Sequence, residues 1–576
     1  MFPVLPVAAT EFWMTRWLTT VWLVGLGVAV GLAILALLVG LFAILAKLKL
    51  FLPLQAKPWL GHSVALVLSL GLAAVVWWGL MQSSERAMTD VEQRLTLFAT
   101  WFFAAIATWS LLFCSSSRWI GEFSSIAFRG VGAAILTTAA VVAAVGLAST
   151  FVVEQPIQTL ASLSQIFSAG ERVYKISVPG APTDAKESPF TVAAVPYRAE
   201  LLTSVVIESN RNIMITDSDS VSRFQMRPVR VEARGEVNWN RKSAIPPPLP
   251  TASGSQMFIQ NQEIDPAEVV FRLATSPANP EVKALLISAL GVIFAGLLFF
   301  LQQGVAPRVS AIALAAAKNE ITQPLFLVLN LIGIFLILLF VFLPFHTFGE
   351  DIKLLKDCGI TIILVLALFQ GVWSASSSVS EEIEGRTALT VLSKPVDRRS
   401  FLIGKMLGVF WVLALMFVIL GSWELFWVAF KPIYDAKESS QDTPTWQSCH
   451  LELVRTVPGL VMAFLHACVL SAFSVALATR LPQLANFAVC FAIYVVGHLT
   501  EALVSSAEGG FAILQFVGEL IAVIIPDFEH FSMQSAIDVG NRVPMSFLSG
   551  ALLYGLLYTL LAVLLGLVLF EDRDVA

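Results

Sequence analysis

Nine charged residues fall between Ser380 and Lys405, in the stretch SEEIEGRTALTVLSKPVDRRSFLIGK. Their order suits mechanical work rather than covalent chemistry. Glu381, Glu382 and Glu384 come first, in what reads as the opening turns of a short helix, where the helix dipole favours acids. Glu382 and Arg386 stand four apart with the acid first, the better order for an ion pair on one helix face. Leu389, Val391 and Leu392 give that helix an apolar side. Pro395 stops it, because proline has no N–H to donate and its ring clashes with the preceding turn. Asp397 then stands as an N-cap for the next helix. Arg398 and Arg399 follow at that helix's start, where the dipole disfavours cations. They are therefore expected to face outward, toward lipid phosphate or an acidic partner. Residue physics alone leaves two readings open: a docking helix for a soluble partner, or a loop whose cations only fix membrane orientation.

Other ionisable residues interrupt apolar runs. His466, His498 and Glu501 lie in two such runs, and Glu424 lies near the end of a third. An ionisable group inside lipid is expensive, which makes each a candidate pathway residue. His498 and Glu501 are three apart and share a helix face, so they could pair. The plainer reading also stands: Glu424 and Glu501 at the outer interface, and His466 bonded to a neighbouring helix. Cys358 and Cys449 fall in loops on one side and could form a disulfide. Two free thiols fit equally, since a bridge needs Cα atoms within about 7 Å. Trp77–Trp78 and Trp423–Trp427 read as interfacial belts. Gly404 and Gly408 make a small-xxx-small pair suited to close helix packing.

The chain offers no enzyme site. It has no GxxxxGK[ST] loop for nucleotide phosphates, and no HExxH, GxSxG or paired aspartates in its apolar runs. The five cysteines are far apart and lack metal-ligand spacing. No catalytic, cofactor or metal residues are expected. A net charge of −5 without a dense basic patch argues against nucleic acid. The first twenty residues lack the basic region and cleavage site of a signal peptide.

The elements that hold these residues are set by hydropathy. The chain is 57% hydrophobic and 13% charged, with a mean hydropathy of +0.79. The expected class is mainly α: a polytopic transmembrane helical protein of about 11 spans, by the rule of about 20 apolar residues per span, with a small β-rich extracytoplasmic domain. The expected span cores are 21–45, 61–81, 96–114, 130–152, 284–303, 325–346, 359–378, 403–429, 457–478, 486–505 and 547–570. The apolar stretch from Phe511 to Ile525 is too short to cross and reads as re-entrant or interfacial. Lys47, Lys49, Lys57, Arg118, Arg129, Arg308, Lys318, Arg480 and the cations of the 380–405 island fall on one side when spans alternate. Positive charge stays inside, so that side is cytoplasmic and the N-terminus is outside.

Between about Val153 and Val282 the composition shifts to Ser, Thr, Asn, Pro and charge. VYKISV, TVAAV, LLTSVVI, NIMIT and PVRVEARGEVNW alternate as strands do, and AIPPPLPTASG reads as a loop. This region has no His and no Cys.

One stretch carries a resemblance. Glu381, Glu382, Glu384, Gly385, Thr387, Leu389, Leu392, Ser393, Lys394, Pro395, Val396, Arg398, Phe401, Gly404 and Lys405 resemble the central cytoplasmic loop of type-2 ABC transporter permeases. Arg386 is a departure, since it separates a Gly and Thr that many members place together. Ala311–Leu325 is similar to that family's amphipathic elbow helix. Ile524–Ser532 (IIPDFEHFS) resembles the segment before its last span, and LLGLVLFEDRDVA resembles its C-terminal end. The resemblance covers roughly residues 305–576. It implies a six-span permease unit, a second permease subunit forming a homodimer or heterodimer, a separate ABC ATPase and a lipid bilayer. It gives the role of ATPase-coupling helix to Glu381, Glu382, Glu384, Gly385, Arg386, Thr387, Leu389, Leu392, Pro395, Arg398 and Arg399.

The expected domains are 1–152, a transmembrane region of about four spans; 153–283, the outer domain; 284–304, a connecting span; and 305–576, the permease. The expected function is the permease of an ATP-driven transporter, an exporter, in a bacterial inner membrane. The alternative is a membrane assembly or signalling protein that passes ATPase-driven motion to its outer domain without moving a substrate.

Overall fold

The computed structural model describes residues 13–48, 51–83, 90–116, 131–166, 169–180, 189–193, 195–219, 226–241, 245–250, 257–343, 351–380, 397–507, 524–532 and 543–571, with isolated residues between. In chain order the helices are α1 (Trp13–Leu48), α2 (Leu52–Ala56), α3 (Pro58–Ser83), α4 (Asp90–Cys114), α5 (Val131–Ser149), α6 (Pro156–Ile166), α7 (Lys283–Val305), α8 (Pro307–Thr322), α9 (Pro324–Phe342), α10 (Asp351–Ala375), α11 (Arg398–Glu438), α12 (Trp446–Leu477), α13 (Gln483–Ala507) and α14 (Met545–Glu571). Ten helices among the described residues are long and apolar enough to cross a membrane. They coincide with ten of the expected spans. The eleventh, 359–378, is also helical, as α10, but is not one of those ten. It is the more polar helix, with Lys356, Gln370 and Ser374 buried. The stretch from Phe511 to Ile525 lies largely outside the described residues.

The chain divides into two compact units. The first holds residues 1–62, 106–154 and 287–576. Its axis is α11, whose 41 residues reach about 60 Å at 1.5 Å per residue. Around it pack α8, α9, α10 and α12, over a core that includes Ile363, Val412, Leu413, Met416, Leu420, Met462 and Ala467. Gly404 and Gly408 do form a close-packing face. A Cβ on either would stand 2.8 Å from Ile312 or from the Ala313 carbonyl of α8. Without side chains there, the elbow helix lies directly on the α11 backbone. The same device joins α1 to α5, where a Cβ on Gly25 would be 2.5 Å from the Gly146 Cα.

This bundle has two distinguishable ends. At one, Arg398 and Arg480 reach the last carbonyls of α14, and Ser380 reaches Leu481. At the other, Lys431 reaches the Val341 carbonyl, and Arg16 of α1 donates to Thr443 beyond the end of α11. Trp17 seals that second contact edge-on to Phe426, with ring centroids 5.0 Å apart.

The second unit holds residues 63–105 and 155–286. Its β strands make two four-stranded antiparallel sheets, ordered β1-β8-β3-β6 and β2-β7-β4-β5. The strands are β1 (Glu171–Val178), β2 (Phe190–Ala193), β3 (Leu202–Ser209), β4 (Ile213–Thr216), β5 (Val229–Val231), β6 (Glu236–Asn240), β7 (Met257–Asn261) and β8 (Ala267–Thr275). All five expected strand segments are strands. Sequence reading missed β7 and β8. Val205 and Ile207 pair with Leu273 and Phe271 across β3 and β8, and all four are buried. Ile213, Ile215 and Ile259 of the other sheet complete the same core. The two inner faces therefore pack as a sandwich.

Candidate functional site

The segment expected to dock a partner is fastened on both sides. Before it, α10 runs into a buried π-helical turn, Ser376–Ser380. Ser377 donates to Glu320 of α8 at 2.9 Å, and Ser380 to the Leu481 carbonyl at 3.0 Å. Asn486 of α13 donates to Ser376 and Ser474 at 2.8 and 2.9 Å. The run of serines suits this site, because a π turn is widened and leaves backbone groups to be met by side chains. Glu382 then pairs with Lys405 at 2.6 Å, and the buried Lys405 ammonium also lies 5.5 Å from the Phe401 ring. After the segment, Arg398 donates to the Phe570 and Glu571 carbonyls at 3.1 and 2.8 Å. Arg480 donates to Leu569 at 2.6 Å. Cations at a helix C-terminus meet both its orphan carbonyls and its dipole. Two loops are thus tied to the end of α14.

A second set of charges is buried at the opposite end. Lys356 of α10 pairs with Glu452 of α12, and Arg455 also reaches Glu452 at 3.3 Å. Lys431 pairs with Asp435 at 3.0 Å and donates to the Val341 carbonyl at 3.0 Å. Glu424 of α11 is fully buried, and neither carboxylate oxygen has a hydrogen-bond partner among the described residues. Its carboxylate rests on Gly359, where any Cβ would overlap it.

A third cluster is aromatic. The His466 ring stacks on Phe528 at 4.2 Å and 12°, with His498 5.3 Å away. His498 Nδ1 donates to the Tyr494 carbonyl at 2.9 Å. The short turn Phe528–Phe531 enters the bundle here. Asp527 starts it, accepting from the Glu529 N–H at 3.0 Å.

Residues 249–575 match a family described as ABC-2 family transporter protein. The chain belongs to that family. A search of curated proteins returned no match. The family match begins upstream of residue 305, within the outer-domain sequence. An ABC-2 permease is the membrane subunit of an ABC transporter and is distinct from the ATPase. The chain is therefore a multi-pass membrane permease with an ABC ATPase and lipid as its partners.

Several expectations for this ABC-2 permease need correction. Arg398 is exposed, and its guanidinium also caps α14 and lies 5.6 Å from the Phe570 ring. Asp397 occupies the N-cap position but makes no side-chain capping bond. Glu424 is fully buried and rests on Gly359 of α10, at the end of the bundle that holds Lys356 and Glu452. The Cys358–Cys449 bond is not formed, and both are free thiols. Cys449 instead packs with Trp17 and Ile433. Trp423 is no lipid belt either, as its indole donates to the Ile334 carbonyl at 3.1 Å. Arg399 is exposed. Glu381, Glu384, Gly385, Arg386, Thr387, Leu389, Leu392 and Pro395 lie outside the described residues, as does the Glu501 side chain.

The structure brings His466 and His498 together. Sequence reading missed Lys356, Glu452, Lys405 and Glu320 as buried groups. Lys356 and Glu452 stand near helix ends and read as loop charges. Glu320 reads as part of the wet side of an amphipathic helix. One signal was present: four cations and acids within a few residues of long apolar runs have no lipid partner and must find one another.

Proposed function

We propose that this permease couples ATP hydrolysis by a separate ABC ATPase to alternating access, through the segment 381–396. The observation that carries this is the fastening on both sides of that segment. Glu382 holds Lys405 of α11, Ser380 holds the α12–α13 turn, and Arg398 holds the end of α14. Force applied between these anchors reaches four helices at once. In sequence the segment offers Glu381, Glu384 and Arg386 as polar groups for docking and Leu389 and Leu392 as apolar ones. Arg399 is exposed beside it and free to meet partner or phosphate chemistry.

The end with 380–405, 478–482 and residue 571 is cytoplasmic in this reading, because it gathers Arg398, Arg399, Lys405 and Arg480 in short loops. The β sandwich is then assigned to the outer side of a bacterial inner membrane. A second permease subunit completes the path, and His466, His498 and Glu501 line or brace it. Export is the direction we assign, with the sandwich receiving or guiding cargo on the far side.

A second reading draws on residues 1–248, which lie outside the family match and include most of the sandwich. In it, the ATPase drives motion of the outer domain and no substrate passes. The two readings separate in one experiment. The tagged chain is purified with its ATPase, and ATP turnover is measured in vesicles. Transport predicts turnover that rises with an exported compound and fluxes of that compound. Turnover that is unchanged by every compound, yet changes when the sandwich is deleted or bound, would contradict transport and favour the second reading.

A further inference from the structure

We infer that Lys356 is a shared cation, held by Glu452 in this conformation and by Glu424 in the other, and that this exchange positions α10 against α11 during the transport cycle. The inference rests on the alternating-access reading above.

Three helices meet at this lysine. Lys356 on α10 is only 3% exposed, so its ammonium has no route to water. It pairs with Glu452 on α12. Glu424 on α11 is 0% exposed with two orphan oxygens. An unpaired buried carboxylate costs several kcal/mol, and such a group in a native fold calls for an explanation. Nearby cationic charge supplies one, since Lys356 acts electrostatically on both acids. The Glu424 carboxylate lies on Gly359, three residues after Lys356 and so on the same face of α10. The glycine has an evident purpose: any side chain there would push the carboxylate off α10. The lysine ammonium sits on a flexible four-carbon stem and can turn from one acid to the other with a small shift of α10.

Glu452 is not stranded by that exchange. Arg455, one turn along its own helix, already bonds it at 3.3 Å. The arrangement has two bases and two acids: Lys356–Glu452 with Arg455 in support in one state, and Arg455–Glu452 with Lys356–Glu424 in the other. Lys431 and Asp435, the other buried pair at this end, satisfy one another and the Val341 carbonyl, so they offer no competing partner. Lys356 is a positioning residue in this account and touches no cargo.

The test is a distance measurement on the permease–ATPase complex in lipid nanodiscs. Spin labels are placed by Lys353→Cys on α10 and Ser439→Cys after α11, in a Cys358→Ser background. The complex is measured without nucleotide and after trapping with ATP and vanadate. Glu424→Gln removes the second partner and should cut the trapped population about tenfold. Glu452→Gln removes the first partner and should raise the trapped-state distance without nucleotide. A purely structural role would move both variants in the same direction. Should Glu452→Gln not accumulate, Arg455→Gln serves instead: exchange would strand Glu452, so the trapped population should fall as in Glu424→Gln. A wild type that responds to nucleotide while Glu424→Gln and Glu452→Gln respond alike, or while Arg455→Gln traps as the wild type does, would overturn the exchange and leave the transport reading standing. A wild-type distance indifferent to nucleotide would overturn both.

Discussion

The helical bundle buries its charges and the β sandwich keeps them at the surface. In the bundle Lys356, Lys405, Lys431 and Glu424 are all buried. In the sandwich, Arg211 pairs with Glu263 and Asp265 at 3.1 and 2.8 Å, and Arg272 pairs with Glu208 at 3.1 Å, all on partly exposed side chains. The sandwich core itself is apolar, apart from the hydrogen-bonded Ser209, Thr216 and Asn261. Solvent explains the difference. A water-facing domain places charge outside and derives stability from apolar burial. A lipid-facing bundle has no such outside, so its ionisable groups turn inward and pair. Stability in the first region should therefore follow packing, and in the second should follow both packing and pairing.

The largest effect expected is on packing in the sandwich. Phe271→Ala empties the centre of its core and should cost about 4 kcal/mol. Hydrogen exchange of the full-length protein should show β3 and β8 losing protection together, with the bundle unchanged. Exchange that spreads into the bundle would show that the two regions are not separately stabilised.

Pairing in the bundle comes next. Lys431→Met leaves the half-buried Asp435 without its cation and the Val341 carbonyl without its donor, and should cost about 2 kcal/mol, read as a lower thermal midpoint in detergent. Adding Asp435→Leu should restore most of the loss, because neutralising a buried pair as a whole is far cheaper than halving it. If the double variant were no better than the single, the pair would be incidental and the comparison would break.

The smallest effect is electrostatic and belongs to the sandwich surface. The Asn212 backbone N–H, with Arg211 beside it, holds the Glu263 carboxyl below its ordinary range. A carboxyl lowered in the folded state stabilises above its unfolded value of about 4.3 and loses that contribution as pH falls through the folded value. Protection of β4 and β7, corrected for the intrinsic pH dependence of amide exchange, should therefore fall slightly as pH is taken below about 4, and Glu263→Gln should abolish that loss. Corrected protection that falls on the alkaline side instead would contradict the assignment.

Much of this was legible in the sequence. Long apolar runs fixed ten helices near their true places, and alternation such as Val205, Ile207 revealed strands. The motif from Glu381 to Lys405 pointed to the family. What escaped has physical causes. β8 reads AEVVFRLAT, whose neighbouring apolar residues blur the period of two. The cap that Arg398 makes was missed because dipole reasoning considered its own helix only, while the α14 end that it caps lies far along the chain. The full burial of Glu424 was not legible, because hydropathy gives a span's length but not which face of a 41-residue helix meets its neighbours. Cys449 looked exposed because nothing local announces that Trp17 covers it.

The central claim is that the segment between Glu382 and Arg398 passes force from an ATPase to the bundle. The most direct test is to replace Glu381 and Glu384 with Lys, leaving Glu382 to hold Lys405, and to measure how much ATPase stays with the purified permease. The account predicts that the variant inserts in the membrane with an unchanged thermal midpoint but loses most of its ATPase. Full retention of the ATPase, with wild-type ATP turnover, would contradict it.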